Sequence, residues 1–117
     1  MSAMASACQL FTSPVTLRTA SPEQDQAFCA GYTLIEATVR ADPASPGNPW
    51  LEVPDGTRYE VIWPIGYSAR LADRVELVNS GGAVEAREGD VLRNLDVCPI
   101  QDRLLLVRSL KQVPENP

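Results

Sequence analysis

The residues of this chain whose types could do chemistry are three cysteines, Cys8, Cys29 and Cys98, and a scatter of carboxylates; there is no histidine. That lack removes the commonest general base, the usual partner of a serine or cysteine nucleophile, and any Cys–His zinc set. The cysteine spacing fits no zinc pattern either. Paired carboxylates remain, as the acid and base of glycoside cleavage. Glu85, Glu88 and Asp90 cluster in sequence, and Glu52 with Glu60 lie on two segments that can pair as a hairpin. Acids at turns and on outward strand faces are ordinarily solvated surface. The chain is therefore read as a non-enzyme, with no catalytic residue, no metal and no cofactor. "AREGD" and "DPASPGN" offer oxygen ligands for calcium, but neither follows the spacing of an EF-hand loop. "NSGGAVEAREGD" has glycines without a phosphate-loop lysine and reads as a hairpin turn.

Cys29 and Cys98 both fall next to strand-like segments. A disulfide between them would close a loop of ~70 residues, worth about 4 kcal/mol in the chain-entropy model. The alternative is two buried thiols in a reducing compartment; the disulfide is the expectation. Cys8 follows "ASA", which loosely fits the end of a bacterial lipoprotein signal whose cysteine is lipidated. Such a signal needs an apolar core, which would have to lie upstream of Met1. The competing reading is an unmodified, exposed Cys8.

"WPIGYSARL", residues 63 to 71, offers a different chemistry. Trp63, Tyr67 and Arg70 surround a proline and a glycine, and aromatic residues with arginine are the types enriched at binding hot spots. Either they form a contact surface for a ligand or partner, or Trp63 and Tyr67 plug one end of the fold. Tyr67 and Leu71 are four apart and would face the core together if one helical turn forms here.

The elements that must position these residues are mostly strands. The chain has 117 residues, 44% of them hydrophobic and 21% charged, which suits one globular domain. Residues 1–20 carry a single charge, Arg18, and read as a flexible leader able to add a short edge strand; 21–112 form the domain and 113–117 a tail. "SPEQ" at Ser21 to Gln24 is a helix start with a capping box. "YTLIEATVR" alternates with period two, placing Thr33, Ile35, Ala37 and Val39 on one face. "ADPASPGNP" reads as a loop of breakers. "WLEV" and "TRYEVIW" flank Asp55-Gly56 as a hairpin, with Tyr59, Val61 and Trp63 on a shared face. Val75–Asn79 and Ala83–Arg87 flank "SGG" as a second hairpin. "VLRNLDV" is ambiguous, and "DRLLLVRSL" is a last strand buried on both faces. The sum is an all-β chain forming a small barrel of five or six strands, OB-like, with two hairpins, a long first strand and a last strand.

The run Trp63, Pro64, Gly66, Tyr67, Ala69, Val75, Glu76, Leu77, Val84 and Ala86 to Asp90 resembles a pattern W-P-x-G-Y-x-A, V-E-L, a glycine turn, then V-x-A-R-E-G-D. Small bacterial envelope or lipoprotein-like β domains carry this pattern. The resemblance covers about a quarter of the chain and implies a β fold at the cell envelope, with no activity attached.

Net charge is −5, and only Lys111 among the ten cations is a lysine. Polyanions gain no long-range attraction from such a chain, so nucleic acid is not an expected partner. No apolar run approaches the ~20 residues of a membrane span. The membrane enters only through a lipid on Cys8. The function expected is a non-enzymatic β-barrel module of the bacterial envelope or exterior, binding a protein or small ligand or serving a structural role. The alternative is an intracellular adaptor built on the same barrel, with its cysteines reduced.

Overall fold

A computed structural model describes residues 14–110. Cys8, and the lipidation expected there, lies outside the described residues. The chain is nearly all β. Strands β1 (Pro14–Val15), β2 (Tyr32–Asp42), β3 (Ser45–Glu52), β4 (Arg58–Ile62), β5 (Ser68–Leu71), β6 (Val75–Val78), β7 (Val84–Arg87), β8 (Val91–Gln101) and β9 (Leu104–Ser109) are joined by one short helix, α1 (Pro22–Gln26). The helix begins as its sequence dictates. Ser21 caps it, Gln24 completes the capping box, and Pro22 occupies the first turn.

Five strands close a barrel in the order β2-β3-β4-β9-β8, and the other four form a second sheet in the order β1-β5-β6-β7. All neighbouring barrel strands are antiparallel except β4 and β9, which run parallel. Three strands of the second sheet, β5 to β7, are inserted between β4 and β8, and β1 joins them from the N-terminal segment, so the "VELV" hairpin builds that sheet and not the barrel wall. One continuous core joins the two. Val39, Leu51, Leu95, Val97, Leu105 and Val107 of the barrel pack in the same cluster as Ala69, Val75, Leu77 and Ala86 of the second sheet.

Three segments depart from the sequence-based expectation. "ADPASPGNP" is mostly strand: β2 runs to Asp42 and β3 starts at Ser45, leaving a two-residue turn. The Asp42 carboxylate accepts from the Ala44 amide across that turn. Pro46 and Pro49 are tolerated because β4 pairs only with Leu51 and Glu52, so the first half of β3 needs no amide donors on that side. Gly47 fits there because a side chain would strike the Thr16 carbonyl at 2.6 Å. "SARL" forms β5 rather than a helical turn, pairing with β6 from Ser68↔Val78 to Leu71↔Val75. Finally, the segment taken as a flexible leader is packed from Pro14 on, with Leu17 and Ala20 buried.

That segment explains why β9 is buried on both faces. Leu105 and Val107 face the barrel core, while Leu104 and Leu106 face a second cluster with Ala20, Ile62, Cys98 and Cys29. The N-terminal segment covers that cluster like a strap. Thr19 bridges Trp63, the Ala20 amide donates to the Trp63 carbonyl, and Cys29 is joined to Cys98 by a disulfide. Arg108 on β9 donates to the Ala27 carbonyl at 3.1 Å and to Cys29 Sγ at 3.4 Å. The expected pairing of Cys29 with Cys98 is thus present.

Candidate functional site

The end of the barrel away from the second sheet holds a groove, and its origin is a change of phase in two strands. Ala37 and Val39 are fully buried, but Ile35, expected on the same face, is 66% exposed. Leu34 takes the inward place instead, packing against the core. The ladder between β2 and β8 runs through Leu34↔Leu95 and Glu36↔Arg93, and the pair Ile35–Asn94 between them is missing. Asn94 has φ 57°, the left-handed region that asparagine adopts more readily than most residues. A residue out of the ladder re-aims its neighbours. Hence Leu92, Leu95 and Val97 all point inward although the first two are three apart.

Register supplies the second half of the site. β3 pairs with β2 only from Thr38 onward. Along Tyr32–Ala37, β2 has β8 on one side and, among the described residues, no strand on the other. Across that gap stands the hairpin between β3 and β4, whose turn is set by Gly56 at φ 92° and by the Val53 amide donating to the Thr57 carbonyl. The result is a groove of about 440 Å³ with Tyr32, Leu34 and Ile35 on one wall, Val53, Pro54 and Tyr59 on the other, and Thr33 and Glu36 adding polar groups.

The chemistry of the groove is apolar with hydroxyl edges. Burial first, and then the nearby Tyr59 phenol, push the Tyr32 hydroxyl above its ordinary value, so it stays protonated and can donate at neutral pH. The Glu36 carboxylate accepts from Arg93 Nη1 at 2.7 Å, which neutralises the one charge in the lining. At the hairpin tip, hydrogen bonds from Thr57 hold the Asp55 carboxyl below the usual range, so it is ionised. Exposed apolar surface beside an open strand edge is a binding surface in type.

Trp63, Tyr67 and Arg70, read either as a contact surface or, for the two aromatics, as a plug of the fold, are held in different surroundings. Trp63 is 1% exposed and belongs to the core shared by the two sheets. The reason is local: Trp63 keeps the inward phase of Val61 on β4, and Pro64 turns the chain only after it. Tyr67 is half-buried and donates to Glu85 Oε1 at 2.9 Å, while Asn79 Nδ2 donates to Glu85 Oε2 at 2.6 Å. Burial, then the hydrogen bond to Glu85, push the Tyr67 hydroxyl up to about 12. Arg70 is engaged by Glu76, a nearly buried carboxylate that also accepts from Arg87 Nε at 2.9 Å. Burial alone would raise the Glu76 carboxyl; the hydrogen bonds and charges of Arg70 and Arg87 outweigh it and hold the carboxyl below its ordinary value. This network fastens the second sheet.

The acids considered for catalysis are likewise tied up. The register sets Glu52 opposite Arg58, not opposite Glu60. Glu52 is ion-paired with Arg40 at 2.8 Å and Glu60 with Arg58 at 2.7 Å, and the Arg58 guanidinium lies 3.9 Å over the Trp50 ring. Among the described residues, no three His, Cys, Asp or Glu side chains come together as a metal site.

Sequence reasoning missed Tyr32, Ile35 and Asn94 as a unit. The available clue was the three-residue spacing of Leu92 and Leu95 around an asparagine, which breaks a two-residue period and marks a bulge-like site. No protein-family model, curated protein or solved structure matches this chain.

Proposed function

We propose that this protein is a binding module of the bacterial envelope or exterior, working through the groove between the start of β2 and the β3–β4 hairpin, with no catalytic step of its own. One observation carries the binding half: the groove combines exposed Ile35 and Tyr32 with an unpaired stretch of strand edge. A large apolar groove with a few converging polar groups is the default binding-site assignment for a fold of this kind. The strand order, with the third and fifth barrel strands parallel, supports reading the barrel as OB-type, the second sheet replacing the helix usual between its third and fourth strands. Fold type by itself assigns no ligand. Nucleic acid is a poor fit to the usual OB face on β3 and β4, because Arg58 there and Arg40 on the adjoining β2 are each neutralised by a glutamate.

The disulfide supports the location, since such bonds persist in oxidising compartments. An intracellular adaptor with the same barrel would keep Cys29 and Cys98 reduced. Peptide mapping of unreduced protein from the native host, after cell fractionation, separates the two. The expected result is a Cys29–Cys98 crosslinked peptide in the envelope or exterior fraction; free thiols in a soluble internal fraction would overturn the location. For the groove, a photo-crosslinking amino acid at position 35 should give adducts in the host, and the same group at position 100, an exposed isoleucine on β8, should not. Equal labelling from both positions, or none from position 35, would overturn the site.

A further inference from the structure

We propose that the groove takes an extended peptide segment of a partner protein, which adds as a strand to the open edge of β2. The inference rests on the groove being the binding site and goes on to name its occupant. Over Tyr32–Ala37 half of the main-chain donors and acceptors of β2 face away from β8, and no described strand meets them there. A stretch of six residues spans roughly 17–20 Å, the length of an ordinary strand. Strand addition satisfies such an edge with main-chain hydrogen bonds, while alternate side chains of the peptide find pockets. Here those pockets are apolar: Tyr32, Leu34 and Ile35 below, Val53, Pro54 and Tyr59 above.

The shape of the site selects among occupants. In a symmetric pair of copies, each β2 would have to enter the other's groove with its own β8 alongside. The hairpin wall carrying Val53, Pro54 and Tyr59 stands where that β8 would lie. A single extended segment has nothing on its flanks and fits. Charge points the same way. The chain carries a net charge of −5 and an ionised Asp55 sits at the hairpin tip, while Glu36 in the groove is already paired with Arg93. The matching segment therefore has apolar side chains at alternating positions and a lysine or arginine at its end, with no acid among them.

The test uses a phage-displayed library of random octapeptides, panned on the protein and counter-selected on Ile35→Asp. Because Ile35 is 66% exposed, that variant should fold as the parent does, which amide spectra will check. Enriched peptides should alternate apolar residues, end in a cation, and shift the amide resonances of Tyr32–Glu36 and of Val53–Tyr59. Methylating alternate backbone nitrogens of such a peptide should weaken binding at least tenfold, and so should Ile35→Asp. Groove-bound peptides indifferent to methylation would overturn strand addition while leaving the groove as the binding site. Absence of any peptide that prefers the parent over Ile35→Asp would overturn both. A parent dimer in sedimentation that Ile35→Asp dissolves would assign the groove to a second copy and overturn the proposal.

Discussion

Two walls of the same barrel are finished differently. β9 has a strand on each side and a buried face front and back, the outer one sealed by a strap that a disulfide and Arg108 hold down. The first half of β2 has a strand on one side only and presents Ile35 and Tyr32 to solvent. The first wall puts covalent and hydrophobic stabilisation where it cannot bind anything. The second leaves apolar surface in water and main-chain groups with no described strand partner, which forgoes stability that a covering partner can supply. Binding regions are drawn from the less stable parts of a fold for this reason.

That contrast predicts where substitutions hurt. The largest effects belong to the sealed side and its core. Trp63→Ala should cost about 3–5 kcal/mol in denaturant unfolding, because the indole is nearly inaccessible and fills the junction of the two sheets. A loss under about 1 kcal/mol would mean the core does not close around it. Replacing both Cys29 and Cys98 by serine should lower stability by about 4 kcal/mol and loosen the strap, measured against the oxidised parent. An unchanged midpoint would show the strap contributes little.

Smaller effects belong to the polar network of the second sheet. Glu76→Gln should cost about 1–2 kcal/mol at neutral pH, discounted because Arg70 and Arg87 are partly exposed. Its folded carboxyl titrates below the ordinary glutamate value, so the stabilisation is present above that value and is lost as pH falls through the folded one. The gap between parent and Glu76→Gln should therefore close in acid; a gap constant with pH would contradict the assigned charge pairing. Tyr67→Phe should cost about 1 kcal/mol through the lost hydrogen bond to Glu85. Smallest is Ile35→Asp, within about 0.5 kcal/mol of the parent because the side chain is already in water. A large destabilisation there would move Ile35 into the core and remove the contrast.

The sequence carried the all-β class, the capping box, the Asp55-Gly56 hairpin, the doubly buried last strand and the Cys29–Cys98 pairing. The first four rest on local patterns that tertiary structure did not override, while the cysteine pairing, 69 residues apart in sequence, rests on the placement of both cysteines beside strand-like segments. The Asp42–Ser45 turn stayed hidden because proline and glycine read as loop, and only the missing β4 partner makes Pro46 and Pro49 acceptable in a strand. The separate second sheet was not legible, since a hairpin's sequence does not say which sheet it joins. The groove was not legible because of one residue. With Asn94 as an ordinary ladder position, strict alternation sends Ile35 inward with Ala37 and Val39, and the exposed patch loses its most exposed large hydrophobic residue.

Amide hydrogen exchange measured residue by residue tests the difference between the two walls most directly. The amides of Leu104–Val107 should exchange only through global unfolding. Those of Tyr32–Glu36 that face away from β8 should exchange orders of magnitude faster. Equal protection along both strands would mean the β2 edge is already paired or covered, and the groove would not be open in solution.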